Sequence, residues 1–157
     1  MPRTLAIRVF TGCVGLARGE ILAVWEDDDI YLPHHISSHV TAMDSHLWSK
    51  PSKILSDYTG TIQEEDAVGR FHASIAITRK AFEQVGGWPQ TLRGDFDQQL
   101  IARLNALDPP GDPCQISIPS YIFRWTSTGA YHGQALMLSP DDERWYQRVE
   151  SVEDVDS

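Results

Sequence analysis

The chain has 157 residues, enough for one domain with its own hydrophobic core. Its composition, 41% hydrophobic and 22% charged, is ordinary for a globular protein. The formal net charge of −9 argues against a nucleic-acid surface and against docking on anionic lipid by charge. An acidic protein can still bind an anionic substrate when a cation bridges the two.

The cysteines and the apolar runs bear on the cellular compartment. Cys13 and Cys114 are far apart and match no metal-ligand spacing, so we expect buried thiols rather than a disulfide framework. The N-terminal residues lack the apolar core of a signal peptide, and no apolar run is long enough for a transmembrane segment. The sequence therefore favours a cytoplasmic protein. We expect a single domain over residues 1–149 and a disordered acidic tail over 150–157.

The predicted elements mix helices and strands, which indicates an α/β fold. Helices are predicted over 4–17, 33–48, 78–85, 95–107 and in 139–149; strands are predicted over 21–25, 53–58, 71–77, 114–118 and 121–125; residues 59–69 are predicted to form a loop. In the helix over 33–48, Ile36 and Val40 are expected to face the core, with His35 and His39 on or near the polar side. His72 is expected at the surface of its strand.

The central feature is the acidic run from Glu26 to Asp29, which directly follows an apolar strand. Pro33 suits the first turn of a helix, so the carboxylates should lie on a loop between a strand's carboxyl end and a helix. Open α/β sheets bind ligands at such loops. Carboxylate oxygens are the ligands that Mg²⁺ and Mn²⁺ prefer. The run therefore predicts a cation that holds a phosphate-bearing substrate, although a solvated turn would give the same pattern.

Three later segments carry further motifs. Residues 76–88 run from a strand through a short helix to a Gly-Gly-Trp turn, and residues 94–104 read Gly-Asp-Phe-Asp-Gln-Gln-Leu-Ile-Ala-Arg-Leu. Residues 121–125 read Tyr-Ile-Phe-Arg-Trp and are followed by Tyr-His-Gly at 131–133. With the acidic run as an Asp-x-Asp motif, the order and spacing of these segments resemble glycosyltransferase family 2, the inverting nucleotide-sugar transferases of the GT-A type.

The resemblance implies a partial GT-A fold, a mixed sheet flanked by helices. It implies a hexosyltransferase-like enzyme that moves a sugar from a nucleotide-diphosphate donor to a glycan or lipid-linked acceptor, with Mn²⁺ or Mg²⁺ as cofactor. The matched segments correspond to the later part of the family's catalytic domain. The family's N-terminal nucleotide-binding strands have no counterpart before Leu5, so we expect a fragment, a shortened form, or a partner chain that supplies them.

The resemblance also assigns the carboxylates. Asp97 takes the position of the general base, with Asp95 as the fallback, because the family's Glu is replaced by Phe96 and its second Asp by Gln99. At least one of Asp28 and Asp29 is expected to bind the metal, and Asp27 is expected to face the donor ribose. Without the resemblance, Asp97 would be a helix-start carboxylate that stabilises the helix dipole.

Three further residues have two interpretations each. His132 is a candidate metal ligand or phosphate contact, but a lone loop histidine is commonly neither. Arg124 can bind the diphosphate through its bidentate guanidinium or form a structural salt bridge. Trp88 can stack on an acceptor sugar or cover the core.

Two other functions compete with a transferase. A non-catalytic remnant or binding module of the same fold would account for the missing nucleotide-binding strands. A metal-dependent phosphohydrolase would need a second acidic or histidine cluster to hold a metal pair, and the sequence offers no persuasive one.

Overall fold

The computed structural model describes residues 11–58, 60–67, 69–89 and 95–124. Within them the chain is mixed α/β, as expected from the alternating elements. The strands are β1 (Ile21–Ala23), β2 (Ile30–Tyr31), β3 (Trp48–Ser49), β4 (Lys53–Tyr58), β5 (Thr61–Asp66), β6 (Ala76–Thr78) and β7 (Tyr121–Arg124). The helices are α1 (His35–Ala42), α2 (Arg79–Gln84) and α3 (Phe96–Leu107), with 3₁₀ turns at His72–Ser74 and Pro113–Gln115; residues 11–16 are also helical.

The described strands form two sheets. One has the order β1-β6-β3 and is antiparallel throughout. The other has the order β2-β7-β4-β5, in which β4 and β7 run parallel and the outer pairs run antiparallel. Because β1 belongs to the first sheet and β2 to the second, the acidic run between them crosses from one sheet to the other.

The core collects residues from both sheets and from α3. The apolar spacing of α3 is confirmed, since Leu100, Ile101 and Leu104 are buried. They belong to a cluster with Trp48 of β3 and Ile54 of β4. No helix in the described parts of the chain is long and apolar enough to cross a membrane.

The inward face of α1 is the opposite of the predicted one. His35 and His39 are each 1% exposed, whereas Ile36 and Val40 are 44% and 46% exposed. Each buried histidine finds a hydroxyl partner, His35 Nδ1 with Ser120 Oγ at 2.9 Å and His39 Nδ1 with Ser49 Oγ at 2.6 Å. A hydrogen-bonded imidazole can take the place of an aliphatic side chain in a core. A prediction from the spacing of hydrophobic residues does not count histidine, so it misses this face.

Several predicted boundaries are also wrong. Residues 61–66 form a strand that pairs along its whole length with β4, so the acidic segment is not an irregular loop. The strand predicted over 71–77 is a 3₁₀ turn followed by β6, and the strand predicted over 114–118 is replaced by the 3₁₀ turn Pro113–Gln115. Helix α1 ends at Ala42 instead of continuing to residue 48, and Trp48–Ser49 form β3. For residues 61–66 the pairing with β4 decides the structure, and a local sequence pattern does not report such a pairing.

The cysteines are less buried than predicted, and two predicted C-terminal segments lie outside the described residues. Cys13 is exposed and Cys114 is half-buried, so neither is the buried thiol that was expected. The acidic tail over 150–157 and the last predicted helix lie outside the described residues.

Candidate metal centre at the acidic loop

Three carboxylates of the acidic run converge between the two sheets. Glu26, Asp28 and Asp29 can each place one carboxylate oxygen so that all three lie within 4.8 Å of one another. Asp28 and Asp29 are the predicted pair, while Glu26 was not singled out as a ligand. Asp27 is exposed and is not a member of this group. The run forms a turn rather than an extended segment, so strict alternation of side chains does not hold there.

Asp29 is held by the second sheet. It is buried; its Oδ2 accepts a 2.5 Å hydrogen bond from the Tyr121 hydroxyl, and its Oδ1 accepts a 3.0 Å bond from the Arg124 backbone N–H. Both donors belong to β7, which pairs with β2 directly after the acidic run. Asp29 therefore fixes the loop in place in addition to contributing an oxygen to the cluster.

This double role predicts different stabilities for two alanine variants. Asp29→Ala should lower the free energy of unfolding by about 2–5 kcal/mol, because a buried tyrosine hydroxyl and a backbone N–H lose their acceptor. Asp27→Ala should change it by about 0.5 kcal/mol or less, because Asp27 is an exposed carboxylate of the same run. Urea unfolding at pH 7 measures both values. Equal losses in the two variants would contradict the anchoring role of Asp29.

The electrostatics of the cluster suit a cation. Burial and then the charges of Asp29, Asp28, Asp97 and Asp27 raise the pKa of Glu26 from 4.5 to about 7. A divalent cation would relieve this repulsion, and the ligand set is made of hard carboxylate oxygens. The residues present therefore fit Mg²⁺ or Mn²⁺.

The charge of Asp97 acts on the cluster although the residue is far away in the sequence. It occupies the first turn of α3, where the helix dipole favours a negative charge. Its Oδ1 accepts a 2.8 Å bond from the Gln98 backbone N–H, and its charge is one of those that raise the pKa of Glu26. Asp95, the fallback, stands at the N-cap and accepts a bond from Gln99 Nε2 at 3.0 Å.

Of the three other predicted site residues, Arg124 and Trp88 are described by the structure. Arg124 ends β7, and its backbone contacts Asp29. Trp88 is buried in the core, where its ring packs edge-on against Phe82 with the ring centroids 4.8 Å apart. The burial of Trp88 therefore favours the interpretation that it covers the core. Its burial does not support stacking on an acceptor sugar. His132 lies outside the described residues.

An exposed aromatic ring beside the cluster was not predicted. Trp25 was expected inside a buried strand, but it is 57% exposed and follows the end of β1. Its ring stacks on Tyr31 with centroids 4.0 Å apart, and the Tyr31 hydroxyl accepts a 2.9 Å bond from the Glu26 backbone N–H. The stacked ring thus lies next to the carboxylates and leaves apolar aromatic surface exposed there.

Comparison of the chain with protein-family models and with curated proteins gives no match. Functional inference therefore depends on the site and on the sequence resemblance. Three converging carboxylates can hold a divalent cation and its phosphate ligands, and a fourth carboxylate, Asp97, whose charge acts on Glu26, can accept a proton. Metal binding and proton transfer are the chemistry available to this arrangement.

Proposed function

We propose that the protein is a metal-dependent glycosyltransferase. It moves a sugar from a nucleotide-diphosphate donor to a hydroxyl of a glycan or lipid-linked acceptor, with inversion at the anomeric carbon. The observation that carries the proposal is the convergence of the carboxylates of Glu26, Asp28 and Asp29, with Asp97 as a further charge that acts on Glu26. A cation site and a base in one region are the two parts that such a transfer needs. A partial GT-A fold of family 2 and a cytoplasmic location belong to the same proposal.

The cation site would be formed by Asp28 and Asp29, with Glu26 as the third carboxylate. A bound Mn²⁺ or Mg²⁺ supplies positive charge that stabilises the departing diphosphate. The chain positions these oxygens through β7, because Tyr121 and the Arg124 backbone hold Asp29. Asp27, exposed beside the cluster, is the residue we assign to the donor ribose.

The remaining residues would orient the reactants and move the proton. Asp97 takes the proton from the acceptor hydroxyl as that oxygen attacks the sugar. The Arg124 guanidinium would pair with the diphosphate, since its backbone already lies against Asp29. The exposed face of Trp25 offers a stacking surface for a sugar or a base at the edge of the site.

Cation and nucleotide binding test the proposal directly. Mn²⁺ affinity, measured by calorimetry or electron paramagnetic resonance with and without uridine or guanosine diphosphate, should fall about tenfold or more in Asp28→Asn, because a ligating oxygen is lost. Asp44→Asn is the matched control, since Asp44 is an exposed carboxylate just beyond α1. A wild-type protein that binds neither Mn²⁺ nor the nucleotides would end the transferase proposal. Equal affinity in Asp28→Asn and wild type would remove the metal from this loop.

A binding module of the same fold is the second candidate. It is favoured by the structural use of Asp29, whose two oxygens both accept hydrogen bonds from β7. This candidate predicts nucleotide binding without sugar transfer or donor hydrolysis. Incubating the protein with Mn²⁺ and a panel of nucleotide sugars, and measuring release of the nucleoside diphosphate, separates the two.

A further inference from the structure

A buried lysine lies at the end of β3, outside the acidic cluster. Lys50 directly follows β3 and is only 8% exposed, and its Nζ donates a hydrogen bond to the backbone carbonyl of Ala67. An ammonium group has three N–H donors, so one carbonyl oxygen leaves part of its hydrogen-bonding capacity unused. Among the described residues, no carboxylate forms an ion pair with Lys50. The hydrogen-bond partner of this buried charge is therefore a neutral group.

A second cation is held by the same turn of the backbone. The backbone N–H of Arg70 donates a 3.1 Å hydrogen bond to the Ala67 carbonyl, the oxygen that Lys50 also contacts. The Nη2 of Arg70 donates a 3.0 Å bond to the backbone carbonyl of Asp66, and its guanidinium carbon lies 5.0 Å from the centroid of the Phe71 ring. In the described parts of the chain, Arg70 too forms no ion pair with a carboxylate. The two cationic side chains thus end at the neighbouring carbonyl groups of residues 66 and 67.

Packing on both sides anchors this turn. Phe71 has a φ of +62°, a conformation rare for a bulky side chain. Its ring contacts those of Tyr121 and Phe123 in β7, with centroids 6.3 and 5.1 Å away. Ala67 is fully buried, and its backbone N–H donates a 2.8 Å bond to the Ser52 carbonyl. The carbonyl groups that hold the two cations are therefore fixed by the fold, and so is the place where the cations meet.

The electrostatics of the pair favour an anion. Burial and then the charge of Arg70 lower the pKa of Lys50 from 10.5 to about 8, against the smaller opposing effect of Asp112. Asp112 directs one carboxylate oxygen to the backbone N–H groups of Ser52 and Cys114. Lys50 is still mostly charged at pH 7, so its burial and its repulsion from Arg70 both cost free energy. An anion bound to the two cations would offset both costs.

We propose that Lys50 and Arg70 form a binding site for a phosphate group, at the turn between β5 and the 3₁₀ turn His72–Ser74. The guanidinium offers paired N–H donors that match two oxygens of a phosphate, and the ammonium adds a point charge with unused donors. The site uses none of the carboxylates of residues 26–29 and needs no divalent cation. It is therefore independent of the proposed transferase function.

Titration of inorganic phosphate into the full chain, with carbon-13-labelled lysine and with EDTA to remove divalent cations, tests the site. We expect the Lys50 Cε resonance to shift saturably, whereas that of Lys53, which is exposed and already paired with Glu64 at 2.6 Å, stays in place. Phosphate affinity should fall about tenfold or more in Lys50→Met and in Arg70→Gln, because each variant loses a charged donor. Lys53→Met removes the same charge outside the site and should keep the wild-type affinity. Sodium chloride at equal ionic strength should not produce the Lys50 shift.

Two results would overturn the phosphate site. One is a Lys50 resonance that phosphate does not move, or that chloride moves equally. The other is an equal loss of affinity in Lys50→Met, Arg70→Gln and Lys53→Met, which would indicate a general effect of net charge. Arg70→Gln keeps the test decisive if Lys50→Met fails to fold, because Arg70 is half-buried and its bond to Ala67 uses the backbone N–H. The titration contains no Mn²⁺ and no nucleotide, so a failure of the transferase proposal would leave its outcome unchanged.

Discussion

Asp97→Asn should lower the rate of sugar transfer by about 10²- to 10⁴-fold, the usual contribution of a general base. Asparagine keeps the size of the side chain and its place in the first turn of α3, but its amide cannot accept the proton of the acceptor hydroxyl. Mn²⁺ affinity should stay close to that of the wild type, because the cluster of Glu26, Asp28 and Asp29 is intact. Single-turnover transfer with Mn²⁺ and saturating donor measures the effect on the chemical step.

Asp95→Asn is the control for this experiment. Asp95 lies two residues before Asp97 and bonds to Gln99 Nε2, so its substitution perturbs the same helix start without removing the proposed base. A loss of turnover confined to Asp95→Asn would transfer the role of base to Asp95. Unchanged turnover in both variants would exclude a base at this end of α3.

The location of the acidic loop could be predicted because its signals are local. An apolar strand, a run of carboxylates and a proline follow one another within about a dozen residues, and the structure keeps that order from β1 to α1. The α3 core face was also predictable, since its apolar residues repeat at helical spacing. Helix α1 shows the limit of this reasoning. Its aliphatic residues have the same spacing, yet the hydroxyls of Ser49 and Ser120 draw His35 and His39 inward instead.

The parts of the site that were missed depend on residues brought together by the fold. Glu26 comes close to Asp28 and Asp29 because the backbone of the loop turns between them. The pattern of charges in the sequence does not reveal that turn. His72 was placed at the surface on the basis of strand alternation, but the segment is a 3₁₀ turn that buries it under Trp88. Trp25 was counted with its apolar strand, although β1 ends two residues earlier. Each error arises where the backbone departs from a regular strand, which the sequence pattern does not mark.

The buried histidines of α1 predict that acid will destabilise the protein by several kcal/mol. Burial is the main cause that lowers the pKa of His35 from 6.5 to about 4 and that of His39 from 6.5 to about 3. Their rings contact each other with centroids 4.6 Å apart, and their Nε2 atoms have no hydrogen-bond partner among the described residues. The unfolded chain therefore binds protons as the pH falls through about 6.5, while the folded chain does not until the lower pKa values are reached. Each pKa unit corresponds to about 1.4 kcal/mol, so these two residues oppose folding increasingly toward pH 4.

Glu26 works in the opposite direction over part of this range. Its raised pKa means that the folded state holds a proton more tightly than the unfolded state, so its contribution to stability is lost as the pH rises from 4.5 to about 7. The two histidines together have the larger summed shift, and the net effect of acid should be destabilising. Urea unfolding at pH 7, 5.5 and 4.5 should show this fall in the wild type and a much flatter profile in His35→Asn/His39→Asn. Ile36→Asn, at an exposed position of the same helix that carries no titrating group, should keep the wild-type slope. A double variant as acid-sensitive as the wild type would place the titrating groups elsewhere.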